Sequence, residues 1–340
     1  MVETKINTIT ILGANGTLGK GVSKLCATMT QAQLYLVCRD KNSAIGLVRD
    51  LEQKGANPKR LVACDYSDLP QCVKSSDWIF ESVKEDLGVK QALNLKIDQH
   101  LQNGTFVSTG TSSYSIEELA FPCSSLFKKQ YYGTHFFNPP ERLPLLEFVP
   151  TSESDVKVTQ SFKEFFEEEL KRSVITLKDT RGFLANKIGI LFLHEASKLA
   201  QKYSQGGGIE YIDSIMGTFT GRALPPMRTI DYIGIDVYLT ILENIGSAKD
   251  LEETPRHLLS MQQRGWLGKK ESGGGCYRKR LVEKENASRY QVFDIGPNSY
   301  RDQKSVCFPF AKTMITHLLQ GNIDKAFKTL RMDDSLEGKI

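Results

Sequence analysis

Short apolar runs that end in glycine or a polar residue recur through the first half of the chain. Runs of this length rich in β-branched residues are typical of buried parallel strands. The pattern predicts five such strands, within residues 8–13, 34–38, 60–64, 76–83 and 104–109. Between the strands, apolar residues recur at helical spacing, as in residues 85–101. This alternation predicts an α/β fold with a Rossmann-type, doubly wound sheet.

The second half of the chain has a helical pattern. Residues 178–203 predict one long helix, apolar all round its middle and therefore buried on several sides. Residues 290–300 predict a hairpin or extended arm, and residues 310–330 a further helix. We therefore expect an α/β domain over residues 1–177, an all-helical domain over 178–280 and a C-terminal extension or linker over 281–340.

Length and composition place the chain among ordinary globular proteins. Its 340 residues suit two domains, and 40% of them are hydrophobic and 25% charged. No apolar run reaches the roughly 18 residues that span a bilayer, and the N-terminus shows no signal-peptide pattern. The seven scattered cysteines lack metal-ligand spacing, so we expect reduced thiols, a cytoplasmic location and no metal site. A net charge of +4 is too small to indicate nucleic acid.

The first predicted strand runs into a glycine turn and then a helix. Strand, glycine turn and helix in this order form a site for a pyrophosphate, because backbone N–H groups and the helix N-terminus face the anion. The spacing is GxxGxxG and not the strict GxGxxG, so a plain tight turn is the alternative. The candidate cofactor-binding residues here are Gly13, Asn15, Gly16, Thr17, Leu18 and Gly19.

Two charged residues of opposite sign follow the second strand. An acid at this position bonds the ribose of NAD, whereas an arginine accommodates the 2′-phosphate of NADP. The chain carries both, as Arg39 and Asp40. The pattern therefore leaves NAD and NADP open, and a plain surface charge is as good an interpretation of Arg39.

Polar side chains follow the strands in the middle of the predicted sheet. Ser112 and Ser113 follow the strand at 104–109, at the edge where open α/β sheets bind ligands. Capping of the next helix is the alternative role for these two serines. Glu81 lies within the strand at 76–83, and Glu85 and Lys90 lie near the start of the next helix.

One histidine and one glutamate stand alone in apolar runs. His135 lies in YYGTHFF and Glu147 in LPLLEFV, and burial of each is costly unless the two meet. We expect both on strands whose carboxyl ends face the same crevice. A carboxylate that fixes the histidine tautomer leaves the other ring nitrogen as a base for an alcohol proton while a nicotinamide takes the hydride. An unrelated core histidine is the alternative, and Glu81 competes with Glu147 as the partner.

From about residue 76 to residue 277 the chain resembles the L-3-hydroxyacyl-CoA dehydrogenases of fatty-acid β-oxidation. Seven segments carry the resemblance in order: FESVKEDLGVK (80–90), TSS (111–113), GTHFFNPP (133–140), LLEFV (145–149), KDTRGFLANK (178–187), TIDYIGID (229–236) and GWLGKKESGGGCY (265–277). The resemblance implies that residues 1–177 bind a nicotinamide cofactor and that residues 178–280 bind substrate and form a dimer contact.

The resemblance also implies roles for single residues. His135 falls on the catalytic base and Glu147 on its partner acid. Ser112 falls on a serine that bonds the substrate near the reacting oxygen, and Asn186 on an asparagine near substrate and cofactor. The remaining implied positions are Asn138, which orders the site, and Glu81, Glu85 and Lys90, which line the nicotinamide side.

The sequence departs from the family pattern in three places. The glycine turn with Arg39 is closer to NADP-preferring dehydrogenases. Only residues 40–59 lie between the second and third strands, too few for the helical hairpin with which the family contacts CoA. In place of DTPGF the chain has DTRGF, which introduces Arg181. This arginine either contacts an anion or is solvated, and we favour the second interpretation. We therefore consider two alternatives. One is a dehydrogenase whose substrate is a free 3-hydroxy acid or sugar acid, and the other is a non-catalytic NAD(P)-binding sensor.

The resemblance bears on partners as well. It implies an acyl-CoA or related 3-hydroxy substrate and a homodimer. Residues 281–340 resemble the linker that follows the dehydrogenase part of longer bacterial β-oxidation proteins. We expect either a stand-alone relative or a part of such a longer chain.

Overall fold

A computed structural model describes residues 6–217, 224–268, 273–282, 287–304 and 308–340. The chain forms two compact units, Met1–Leu184 and Ala185–Ile340. The expected boundary between residues 177 and 178 lies seven residues before the division between these two units. The expected boundary between residues 280 and 281 falls inside a strand of the second unit. The three-part division stays a prediction.

The N-terminal unit is built on an eight-stranded sheet with the order β3-β2-β1-β4-β5-β6-β7-β8. Strands β1 to β6 run parallel, β7 runs antiparallel to β6, and β8 is parallel to β7. The five predicted strands are present as β1 to β5. The strands are β1 Thr8–Leu12, β2 Gln33–Cys38, β3 Leu61–Asp65, β4 Trp78–Glu81, β5 Phe106–Thr109, β6 Tyr131–Phe136, β7 Leu145–Val149 and β8 Ser173–Thr176.

Helices follow most strands of this unit, as the predicted Rossmann-type alternation requires. They are α1 Thr17–Met29, α2 Lys41–Gln53, α3 Leu69–Ser75, α4 Leu87–Asp98, α5 Ile116–Ala120, α6 Ser125–Lys129 and α7 Val156–Glu164. Trp78 and Phe80 of β4 belong to one hydrophobic cluster and Ile79 to another, so both faces of the sheet are covered. Between β2 and β3 the structure has only α2 and one 3₁₀ turn, Pro58–Arg60.

The C-terminal unit is mainly helical. Its helices are α8 Ala185–Lys202, α9 Gly208–Met216, α10 Pro226–Ile233, α11 Ile235–Ile245, α12 Ala248–Glu252, α13 Arg256–Gln263, α14 Pro309–Leu319, α15 Ile323–Arg331 and α16 Leu336–Lys339. An antiparallel sheet accompanies them, with β9 Tyr277–Val282, β10 Ala287–Asp294 and β11 Ser299–Asp302. The predicted hairpin is formed by β10 and β11.

Two helix predictions were wrong at positions where the backbone adopts positive φ. The long helix expected from residue 178 begins only at Ala185, because Gly182 and Phe183 have φ values of 73° and 49°. The single helix expected over 310–330 is two helices, and Gly321, with φ 74°, lies between them. A left-handed residue cannot continue a right-handed helix, so each chain segment bends there.

Two observations bear on the surroundings of the chain. Among the described residues, no helix combines the length and apolar character needed to cross a bilayer. Six cysteines are described, and all six are free and buried. The seventh, Cys307, lies outside the described residues.

Candidate active site

His135 and Glu147 form the pair on which the sequence analysis depends. They are directly opposed in the register of β6 and β7, and His135 Nδ1 lies 2.6 Å from Glu147 Oε2. The expectation that the carboxyl ends of both strands share one crevice was wrong, because β7 runs antiparallel to β6. The two side chains meet because opposed residues of an antiparallel pair project from the same face of the sheet.

Both members of the pair are held in place by their surroundings. His135 is 8% exposed and Glu147 is 1% exposed. The second carboxylate oxygen, Oε1, accepts a hydrogen bond of 3.0 Å from the backbone N–H of Leu184. Rings of Phe137 and Phe183 lie 4.9 Å and 5.8 Å from the imidazole centroid. With Nδ1–H donating to the carboxylate, Nε2 is left as the proton acceptor.

Glu81, the rival partner for His135, is engaged elsewhere. Its oxygens accept from Lys90 Nζ at 2.9 Å and 3.0 Å and from Thr109 Oγ1 at 2.6 Å. Lys90 Nζ also lies 3.2 Å from Glu85. The Glu81 side chain is 0% exposed and that of Lys90 1%, whereas that of Glu85 is 36% exposed. Of the three residues expected to line the nicotinamide side, only Glu85 has appreciable exposed surface with which to do so.

The charge network shifts the pKa of two of its members. Burial lowers the pKa of Lys90, but the carboxylates of Glu81 and Glu85 outweigh this effect and hold it above its usual value. Burial likewise raises the pKa of Glu85, yet the Lys90 ammonium and hydrogen bonds from the following turn bring it below its usual value. Lys90 and Glu85 therefore carry their charges at neutral pH.

Glu85 also orders the hydroxyl-rich turn after β5. Its Oε1 accepts hydrogen bonds from Thr111 Oγ1 at 2.5 Å and from the Ser112 backbone N–H at 3.1 Å. The N-cap of α5 is Ser115, so the capping role considered for Ser112 and Ser113 was wrong. The structure places Ser112 on a turn beside the carboxyl end of β5, where its position is fixed by a charged hydrogen bond.

The glycine turn has the shape that a pyrophosphate requires. A Cβ on Gly13, which has φ 75°, would lie 2.4 Å from the Ser82 carbonyl oxygen, and one on Gly19 would lie 2.2 Å from the Gly13 oxygen. Gly16 is the N-cap of α1, with no side-chain cap and no acid in the first turn. The first-turn N–H groups therefore suit a bound anion, and the cofactor fits here. Asn15 and Thr17 are exposed and Leu18 is partly exposed.

Arg39 and Asp40 are both exposed at the end of β2. Asp40 is the N-cap of α2, and its carboxylate accepts from Ser43 N–H at 2.9 Å and Ser43 Oγ at 2.6 Å. These hydrogen bonds lower the pKa of Asp40. The helix cap thus fixes Asp40 at the carboxyl end of β2, the position at which Rossmann-type folds distinguish NAD from NADP.

The segment between β8 and α8 contributes contacts that the sequence did not reveal. Asp179 accepts from the Ser115 hydroxyl at 2.7 Å and from two backbone N–H groups at the start of α5. Arg181 meets a carboxylate, that of Glu118 at 2.8 Å, and its side chain is still 47% exposed to solvent. The left-handed pair Gly182 and Phe183 then turns the chain toward Glu147. Only the glycine was a signal of this turn in the sequence.

Two further predicted residues belong to different units of the chain. Asn138 is exposed just after β6. Asn186 is the second residue of α8, in the C-terminal unit, and is partly buried. Their contacts with a substrate stay predictions.

A Rossmann-type sheet that carries a glycine turn and a buried His–Glu pair is the arrangement of a nicotinamide-dependent dehydrogenase. Residues 8–180 match the family model of the 3-hydroxyacyl-CoA dehydrogenase NAD binding domain. Residues 182–279 match that of the 3-hydroxyacyl-CoA dehydrogenase C-terminal domain. The chain belongs to the 3-hydroxyacyl-CoA dehydrogenase family.

Individual relatives agree with this assignment. A probable 3-hydroxyacyl-CoA dehydrogenase of Bacillus subtilis is 34% identical over 254 residues, which cover 71% of this chain and 32% of the relative. The mitochondrial hydroxyacyl-coenzyme A dehydrogenase of Sus scrofa is 28% identical over 291 residues, 79% of this chain and 90% of the relative. This chain thus spans about a third of the B. subtilis protein's length.

Solved structures share the fold. The crystal structure of 3-hydroxybutyryl-CoA dehydrogenase from Escherichia coli has a TM-score of 0.69 at 22% identity, over 79% of this chain and 59% of that one. The structure of M. tuberculosis FadB2 has a TM-score of 0.67 at 24% identity, over 79% of this chain and 98% of that one.

Proposed function

We propose that this protein is a 3-hydroxyacyl-CoA dehydrogenase that interconverts the 3-hydroxyl and 3-keto forms of an acyl-CoA with NAD. The observation that carries the proposal is the buried His135–Glu147 pair, 2.6 Å apart. A buried ion-forming pair is costly to keep, and proton transfer gives it a chemical use. Membership of the 3-hydroxyacyl-CoA dehydrogenase family supports the substrate class.

In the direction of oxidation, His135 Nε2 takes the proton of the substrate hydroxyl. Glu147 stabilises the imidazolium that forms, because it accepts from the opposite ring nitrogen. Bound NAD supplies the acceptor for the hydride that leaves C3. In the proposal Ser112 bonds the reacting oxygen, Asn186 contacts substrate and cofactor, and Asn138 orders the site. The rings of Phe137 and Phe183 limit the access of water to the imidazole.

The glycine turn and the first turn of α1 would hold the cofactor pyrophosphate. Both Asp40 and Arg39 follow the end of β2, where the adenosine ribose of a bound cofactor would lie. The match to an NAD binding domain supports NAD. Exposed Arg39 is the feature that would accommodate a 2′-phosphate, so NADP is the alternative cofactor.

One observation favours a different substrate. The connection between β2 and β3 holds only α2 and a single 3₁₀ turn, which leaves no helical hairpin to contact CoA. A free 3-hydroxy acid or sugar acid would need no such contact, and the same pair would move its proton. A non-catalytic sensor of NAD(P) has no use for the pair, which makes it the weakest alternative.

The family also supports proposals about partners and location. The B. subtilis relative extends well beyond the matched part, which supports a place in a longer multifunctional chain, and a homodimer is the other proposal. The free, buried thiols of the six described cysteines support a cytoplasmic location.

Reduction of acetoacetyl-CoA by NADH tests the proposed function. The reaction is followed by the loss of the near-ultraviolet absorbance of the reduced cofactor. Free acetoacetate and NADPH are run in parallel arms. Turnover of the thioester alone supports the acyl-CoA assignment. Turnover of the free acid alone would show instead that the substrate is a free 3-hydroxy acid. Folded protein that turns over neither substrate with either cofactor would refute the dehydrogenase proposal.

A further inference from the structure

An open cavity in the C-terminal unit is lined by cations and aromatic rings. It has a volume of about 1110 Å³, slightly above the roughly 300–1,000 Å³ usual for small-molecule sites. Four basic side chains line it: Arg228, Arg278, Lys279 and Arg280. Four aromatic side chains line it as well: Tyr232, Trp266, Tyr277 and Tyr290. None of these residues belongs to the glycine turn or to the His–Glu pair.

Two of the arginines that line the cavity, Arg228 and Arg278, are held by neutral groups. Arg228 stacks on the rings of Tyr277 and Tyr290, with its guanidinium carbon 4.0 Å and 5.0 Å from their centroids. Its terminal nitrogen donates to the side-chain amide oxygen of Gln303 at 3.1 Å. Arg278 similarly stacks on Tyr300 at 3.9 Å. Stacking fixes each guanidinium plane, and neither the ring nor the neutral hydrogen-bond acceptor removes its charge.

Two buried carboxyls offset part of this positive charge, but the four cations outnumber them. Within the described part of the chain, no ion pair joins any of the four cations to a carboxylate. The carboxylates nearby belong to Asp231, which accepts from two backbone N–H groups, and Asp213, which accepts from the Tyr277 hydroxyl at 2.8 Å. Burial raises the pKa of Asp231 to about 6 and that of Asp213 to about 7. At pH 7 Asp231, which itself lines the cavity, is therefore mostly ionised, and Asp213 is about half ionised.

We propose that this cavity is a second ligand site, which binds a nucleotide through its phosphates and its base. Arginine and lysine side chains bind phosphate oxygens, and tyrosine and tryptophan rings stack on bases. The half-exposed rings of Tyr232 and Tyr290, 59% and 47% exposed, lie in the same cavity as Lys279 and Arg280. A free adenine nucleotide and the nucleotide part of CoA share this chemistry. Binding of CoA as part of the substrate also rests on the proposed function.

The fluorescence of Trp266 offers a local probe. The chain has two tryptophans, and the other, Trp78, is 0% exposed within the N-terminal unit. Titration with ADP and with CoA should quench the emission saturably, and the quenching should vanish in Trp266→Phe. In a double variant Lys279→Gln/Arg280→Gln the dissociation constant should rise at least about tenfold, the loss expected from one charged hydrogen bond.

A matched double variant provides the control. Lys325→Gln/Arg331→Gln removes the same charges from exposed positions of α15 and should leave the affinity unchanged. Calorimetric titration of all variants, checked for folding by circular dichroism, measures binding independently of fluorescence.

Quenching by ADP and CoA alike indicates free nucleotides as ligands, and quenching by CoA alone indicates the substrate. Either result supports the site. The proposed site would be overturned if neither ligand quenched the emission and if the Lys279→Gln/Arg280→Gln variant did not reduce the heat of binding. Because no turnover is measured, this result is independent of the dehydrogenase assay.

Discussion

His135 Nδ1 and Glu147 Oε2 lie 2.6 Å apart because their residues are directly opposed across the antiparallel strands β6 and β7. The separation is thus set by the backbone ladder of the sheet and not by a flexible loop. The remaining carboxylate oxygen is bonded to the backbone of Leu184. With both oxygens engaged, the carboxylate holds one ring orientation and one tautomer, as a general base requires.

The charge of Glu147 is tested by Glu147→Gln. The amide can keep the bond to Leu184 N–H, but its NH₂ group then faces His135 Nδ1 and forces the proton onto Nε2. A base that already carries a proton cannot accept another, so turnover should fall by about 10²–10⁴-fold. Steady-state kinetics measure the loss. The exposed control Glu52→Gln should retain full turnover, and a Glu147→Gln enzyme as active as this control would exclude the role of the carboxylate.

The buried Glu81–Lys90 pair is expected to stabilise the fold mainly through charge balance. Lys90→Met leaves the Glu81 carboxylate buried without its cation, which should lower the free energy of unfolding by about 3–5 kcal/mol. The double variant Lys90→Met/Glu81→Gln removes both charges and should lose less. Chemical denaturation compares the two proteins. If the double variant were the less stable, packing and not charge would explain the effect.

Stability should also depend on the pH through Asp213. Burial raises the pKa of its carboxyl from 3.8 to about 7, so the folded state binds this proton more tightly than the unfolded state. Stability contributed by this group is therefore full below the unfolded pKa and is lost as the pH rises through the folded pKa. Asp213→Asn should flatten this decline between about pH 4 and pH 7, as measured by unfolding at a series of pH values. If the stability of the variant declined with pH as steeply as that of the unchanged protein, the raised pKa of Asp213 would be contradicted.

The choice between NAD and NADP is tested at Arg39. We expect the protein to use NADH in preference to NADPH. Arg39→Ala should raise KM for NADPH more than for NADH, because only the former presents a 2′-phosphate to the guanidinium. Kinetics with both cofactors measure the two changes. Equal changes would make Arg39 an ordinary surface charge.

The strands of the sheet could be predicted because each is a separate apolar run bounded by glycine or polar residues. The pairing of His135 with Glu147 could be proposed from their isolation in such runs, but not its geometry. Whether β7 runs parallel or antiparallel to β6 depends on the turn at residues 137–144. The alternation of hydrophobic residues does not indicate the direction of a strand. The prediction of one crevice shared by both strand ends was therefore wrong, although the predicted pair of His135 and Glu147 is present.

Features that depend on long-range contacts were not visible in the sequence. The burial of Glu81 and Lys90 follows from the packing of α4 against β4, so local sequence could not separate them from the exposed Glu85. The start of α8 at Ala185 was also hidden, because apolar spacing continues through residues 182–184 although Gly182 and Phe183 have left-handed backbone conformations. The contact from Leu184 to Glu147 could be found only after this turn was known.

If His135 is the base that moves the substrate proton, the variant His135→Gln removes that base while keeping a polar side chain in its place. The measurement is the rate of NADH consumption with acetoacetyl-CoA, together with NADH affinity by fluorescence titration. His100→Gln, a partly buried histidine of the same unit, serves as the matched control. We predict that turnover falls by about 10²-fold or more in His135→Gln, with NADH affinity unchanged and the control fully active. Turnover in His135→Gln equal to that of the control would contradict the account.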